Sequence, residues 1–103
     1  MQVYAITKPF PKEELYGLVS QMRRSASSVA MNIAEGCCRA TSADFARFLQ
    51  MALGSASELE YQLLLSRDLE MLTETMYQKC TRDVQEVKRM LTALTQTVRG
   101  AHA

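Results

Sequence analysis

One hundred and three residues, 48% of them hydrophobic, make a single domain over residues 1–103 with enough apolar side chains for one core. Twelve basic and eleven acidic residues nearly cancel, which excludes a global field that would by itself announce nucleic acid or a membrane. No run of 18 apolar residues and no signal-peptide pattern occurs, and Cys37, Cys38 and Cys80 lack zinc-ribbon spacing, so the expectation is a soluble cytoplasmic protein with reduced cysteines and no membrane partner.

The chain opens with Val3 and Ile6 at helical spacing and then meets Pro9-Phe10-Pro11. A residue before proline is pushed out of the α region, so the first helix is a stump of about residues 1–8. Pro11 suits the first position of a second helix, with Glu13 and Glu14 near its positive end, and Phe10 is free to cap the core.

From about 12 to 38, Leu15, Leu18, Met22, Ala26, Val29, Ile33 and Cys37 recur every three or four residues, as one face of a helix requires. The run Ser25-Ala26-Ser27-Ser28 is small enough to let another helix come close. Asn32, Glu35 and Gly36 interrupt the apolar pattern with an amide, a carboxylate and a poor helix former. Facing a core, Asn32 and Glu35 each need partners, because an unpaired buried polar group costs about 1–3 kcal/mol; both are expected to be buried and structural. Glu35 and Arg39 also stand i to i+4 in the favourable order for a helical ion pair.

Thr41 or Ser42 reads as the next N-cap, with Asp44 in the first turn. The third helix, about 43–69, carries the seam Phe45, Leu49, Ala52, Ala56, Leu59 and Leu63, widened by Phe48, Leu53 and Leu64. Gly54-Ser55 in its middle, with Glu58 one turn on, predicts another close helix approach. Thr73 caps a last helix of about 74–98, where Tyr77, Cys80, Val84, Val87, Leu91, Leu94 and Val98 keep the same period until Gly100. Seven methionines could line a binding groove, but Met22, Met51, Met71, Met76 and Met90 stand where core packing would use them. Short connections and amphipathic faces predict an all-α protein, an up-down antiparallel four-helix bundle with its first helix truncated to a stump.

Enzymatic chemistry finds little support in these residues. A di-iron centre needs Glu-x-x-His pairs, whereas the single histidine is His102 in the tail. Glu35 and Glu58 come without a substrate-orienting set. The reading is a non-enzyme with no cofactor, no catalytic or metal residue and no small-molecule substrate.

The succession from Tyr4 through Phe10-Pro11-Lys12-Glu13-Glu14, Arg23-Arg24, Asn32-Ile33-Ala34-Glu35-Gly36, Arg39, Phe48-Leu49, Gly54-Ser55 and Glu58-Leu59 resembles the bacterial four helix bundle protein family. That family includes the ribosomal RNA intervening-sequence proteins and is related to the accessory variability determinant of diversity-generating retroelements. The resemblance implies a four-helix bundle, rings of five in some relatives, and no established enzyme activity. For the retroelement protein it implies binding of a reverse transcriptase and nucleic acid through a basic surface. Together with Arg23, Arg24, Arg39, Arg47, Lys79, Arg82, Lys88 and Arg89, it makes RNA or DNA binding by an oligomer the first functional expectation. A self-associating adaptor that binds another protein without nucleic acid is the alternative.

Two departures from the family pattern matter. Relatives have a long helix before the Tyr4 equivalent, and its absence here predicts an apolar groove filled by a second subunit, or an upstream start that restores the helix. They often have proline where Ala30 stands, which predicts a straighter second helix.

Overall fold

The computed structural model describes residues 17–100. The expectations placed on residues 1–8, Phe10, the start at residue 12 and the tail at 101–103 lie outside the described residues. Three helices make up the described chain: α1 (Leu18–Cys37), α2 (Ser42–Asp68) and α3 (Glu74–Gly100). They run antiparallel in an all-α arrangement, with α1 and α3 each packed chiefly on α2. The end of α1, both ends of α2 and the start of α3 lie within a residue of the expected 38, 43, 69 and 74.

Local chemistry explains where the helices begin and end. Thr41 has extended backbone and its Oγ1 accepts from the Asp44 N–H at 3.1 Å; Thr73 Oγ1 accepts likewise from Met76 N–H at 3.2 Å. Each satisfies an orphan donor of a first turn. The end of α2 turns through Glu70, whose φ of 60° lies in the left-handed region. Met71 N–H there donates to Ser66 O and Glu70 N–H to Arg67 O, both at 2.9 Å, the paired bonds that close a helix C-terminus. A connection of only a few residues follows, so α3 must fold back antiparallel along α2.

The core is one cluster. Leu18, Val19, Met22, Ala26 and Val29 of α1 and Cys80, Val84, Leu91 and Val98 of α3 join Ala46, Leu49, Ala52, Ala56, Leu59 and Leu63 of α2. Burial also pushes the Cys80 thiol pKa upward, so this cysteine stays a neutral apolar filler. Small residues bring α1 onto α2: Ser28 Oγ meets Ser55 Oγ at 2.8 Å. Buried Ser66 donates to Gln62 O at 2.8 Å and buried Thr95 to Leu91 O at 2.7 Å, each hydroxyl paired within its own helix.

Several positions depart from the expected core. Met51 is 45% exposed, Met90 62% and Leu94 40%, and Cys37 is exposed as well. Met90 and Leu94 project from a flank of α3 turned away from α2, and Met51 from the outer side of α2. Among the described residues Gly54 is not a site of close approach either, because a Cβ built there meets none of them within 4 Å. Gly36 is: a Cβ there would stand 3.0 Å from Phe45 Cδ1 and 3.0 Å from Phe48 Cβ.

Candidate nucleic-acid interface

Gly36 organises the motif around it. With about 100° of rotation per helical residue, turning Gly36 inward to let α2 approach turns its neighbour Glu35 outward. Glu35 is therefore exposed rather than buried, and its carboxylate pairs with Arg39 one turn later. Asn32 is half-buried and its Nδ2 donates to Ser28 O at 2.8 Å and Ser28 Oγ at 3.1 Å. Asn32, Ser28 and Ser55 thus form a polar clip joining α1 to α2. Glu58 lies on the exposed side of α2.

The antiparallel return of the chain then gathers arginines around Phe48. The guanidinium carbons of Arg39 and Arg47 stand 4.5 and 4.6 Å from its ring centroid, close enough for cation–π attraction. Arg47 also lies 3.7 Å from Asp44. A shallow groove beside it is lined by Ala43, Ala46, Arg47, Gln50 and Arg99, so the end of α3 adds a further guanidinium. Arg24 lines a neighbouring groove with Met31, Asn32, Glu35 and Phe48. Four arginines here stand against the two carboxylates of Glu35 and Asp44. Sequence reading missed Arg99, which only the fold brings near Arg47, and took Phe48 as seam alone. Phe48 is 8% exposed, so it holds guanidiniums rather than offering a face to a base.

The other expected basic residues do not join this cluster. Arg23 is half-buried on α1, while Lys79 and Arg82 are exposed on α3. Lys88 and Arg89 line a groove of about 540 Å³ with Glu60, Gln85, Thr92, Ala93 and Gln96. Both are already engaged, Lys88 Nζ with Glu60 at 2.7 Å and Arg89 with Glu86 at 2.6 Å. Arg67, which the sequence did not single out, lies over the Tyr77 ring at 4.4 Å and pairs with Asp68 at 3.1 Å. Among the described residues no three His, Cys, Asp or Glu side chains gather as a metal site, and no helix is long and apolar enough to cross a membrane.

The Glu60–Lys88 pair joins α2 to α3 and leads to a pH prediction. The hydrogen bond from Lys88 lowers the Glu60 pKa below its ordinary 4.5, with burial opposing and Gln85 adding to the effect. A carboxylate with a depressed folded pKa contributes stability above its unfolded pKa and loses it as pH falls through the folded value. Thermal stability should therefore fall below about pH 4.5, and Glu60→Gln should flatten that part of the profile. An unchanged acid limb in Glu60→Gln would assign the loss to other carboxylates.

The described residues define an antiparallel all-α arrangement in which α1 is fastened to α2 by a glycine contact and a serine clip. By its sequence the chain belongs to the 23S rRNA-intervening sequence protein family, whose model matches residues 1–93. The resemblance carried by Asn32 to Gly36 and Gly54-Ser55 agrees with that membership. Among solved structures, the fold is similar to a protein of unknown function from the S23 ribosomal protein family of Bacteroides thetaiotaomicron VPI-5482. The two are 28% identical with a TM-score of 0.81, over 90% of this chain and 84% of that one. No curated protein matches the chain.

Proposed function

We propose that this chain is a non-enzymatic, oligomeric accessory protein that binds nucleic acid, RNA in the first instance, or an enzyme acting on nucleic acid such as a reverse transcriptase. The observation that carries this reading is the meeting of Arg39 and Arg47 over the Phe48 ring, with Arg24 in a groove that Phe48 also lines and Arg99 in a separate groove shared with Arg47. Guanidiniums held against a ring lose less freedom on meeting a phosphate than guanidiniums free in solvent. The family's tie to 23S rRNA supports RNA as the nucleic acid to test. In this reading the three helices belong to a four-helix, up-down bundle, and a ring of five subunits repeats each modest patch so that weak contacts add up. A second reading, an adaptor that binds protein without nucleic acid, draws support from Met31, Tyr61 and Met90, each more than half exposed at 68%, 65% and 62%.

Titration of structured RNA at low and high salt separates the two. Binding should be weak, tolerant of sequence and salt-sensitive, because phosphate contacts supply it. Removing two contacts with Arg39→Gln plus Arg47→Gln should reduce the slope of log affinity against log salt by about 1.4–1.8, while circular dichroism stays helical. No binding at low salt would favour the adaptor, and a tight complex indifferent to salt would take the arginine cluster out of the site.

A further inference from the structure

Asn32 and Glu35 have no part in a patch built only for phosphates. A carboxylate at the edge of an arginine cluster repels the phosphates that the arginines attract, and an amide adds nothing to a purely electrostatic contact. Both nevertheless line one groove of about 320 Å³ between α1 and α2, together with Arg24, Ser28 and Met31. Arg24, Ser28, Met31 and Glu35 follow one another at steps of four, three and four along α1, so the groove runs along about 16 Å of helix. Arg24 stands at one end of it, and Arg39, paired with Glu35, at the other.

Hydrogen bonds fix which way the amide points. Asn32 Nδ2 directs its protons to Ser28 O at 2.8 Å and Ser28 Oγ at 3.1 Å, so Oδ1 is the end left for a ligand. Glu35 uses Oε1 on Arg39, its second oxygen takes no bond among the described residues, and its side chain is 53% exposed. Residues three apart on a helix are neighbours, with about 5–6 Å between their Cβ atoms. The groove therefore offers two adjacent acceptors, a cation on either side, and Met31, 68% exposed, beside them. Among the bases, one edge matches two acceptors. Guanine carries two neighbouring donors, N1–H and the N2 amino group. Adenine and cytosine set an acceptor nitrogen beside the amino group, and the one imino N–H of uracil lies between two carbonyls. Each of those three would turn an acceptor toward Asn32 or Glu35 and leave it unpaired.

Resting on the nucleic-acid reading above, we propose that the groove along Asn32 and Glu35 holds one unpaired guanine of a bound RNA. Asn32 Oδ1 and the second oxygen of Glu35 accept from N1–H and the amino group, and the Met31 thioether lies against the base. Arg24 and Arg39 take the phosphates on either side, while Arg47 keeps its place over Phe48. Base pairing occupies the same edge of guanine, so the preference is confined to an unpaired nucleotide. Binding of a structured RNA stays tolerant of sequence.

Fluorescence anisotropy at low salt tests the groove with five labelled strands of oligouridylate, identical except for one central residue: guanine, inosine, adenine, cytosine or uracil. The guanine strand should bind about fivefold or more tighter than the adenine, cytosine and uracil strands. Inosine keeps N1–H and lacks the amino group, so its strand should fall between. Glu35→Ala removes one acceptor and one negative charge from an exposed position. It should tighten all five strands and erase the guanine preference together. A carboxylate that only repels phosphate, or only holds Arg39, would shift the five strands alike in Glu35→Ala; unchanged ratios would overturn the proposal. Equal affinities in the unaltered protein, a preference for another base, or binding of structured RNA without binding of any strand would also overturn it, and would leave the phosphate reading standing. Binding of neither the strands nor structured RNA at low salt would overturn both.

Discussion

Leu59→Ala should lower the unfolding free energy by about 2–5 kcal/mol, read from urea denaturation at constant m-value. Leu59 is 0% exposed and belongs to the row Leu49, Ala52, Ala56, Leu59 and Leu63, which forms the centre of the core. Because α1 and α3 both lean on α2, the space left by the lost methyl groups cannot be closed by one of them without disturbing the other. Against a typical total of about 5–15 kcal/mol, that loss is a large fraction. Leu94→Ala belongs to an equally regular seam but should cost only about 0.5 kcal/mol, since its side chain is 40% exposed. Equal costs at the two positions would mean that the flank of α3 carrying Leu94 is covered in solution.

That contrast shows which parts of the fold were legible. The phase of a helix, its caps and its turns depend on neighbours within a few residues, so Thr41, Thr73 and the seams of all three helices could be read from sequence. The width of a buried face depends on how many helices pack against it, which no single segment encodes. Met51, Met90 and Leu94 are the residues where that difference appears. Glu35 was misplaced for a related reason: a polar residue within an apolar pattern suggests burial, but the inward position belongs to Gly36 beside it. The candidate site was legible in its parts and not in its assembly. Arg39 and Arg47 could be named, yet their meeting over Phe48 depends on the turn between α1 and α2. Arg99 reaches Arg47 only because α3 returns along α2. Lys88 looked like a free cation until the fold set Glu60 beside it at 2.7 Å.

The two helical glycines should respond in opposite directions. Gly36→Leu should destabilise the fold by at least about 1–3 kcal/mol through overpacking, because its first added carbon meets Phe48 Cβ at 3.0 Å. The Phe45 ring, also 3.0 Å away, can rotate aside. Phe48 Cβ cannot, since it moves only with the backbone of α2, so α1 must be pushed outward and the Ser28–Ser55 contact stretched. Gly54→Ala should instead stabilise by about 0.8–1.0 kcal/mol, the difference in helix propensity, since it meets no neighbour among the described residues. For a domain of this size 1 kcal/mol corresponds to roughly 4–8 °C in Tm. Thermal melts at low protein concentration, where association contributes least, should therefore move down for Gly36→Leu and up for Gly54→Ala. A stabilised Gly36→Leu would refute the close approach of α1 to α2. A destabilised Gly54→Ala at low concentration would mean that the outer face of α2 is packed within the monomer.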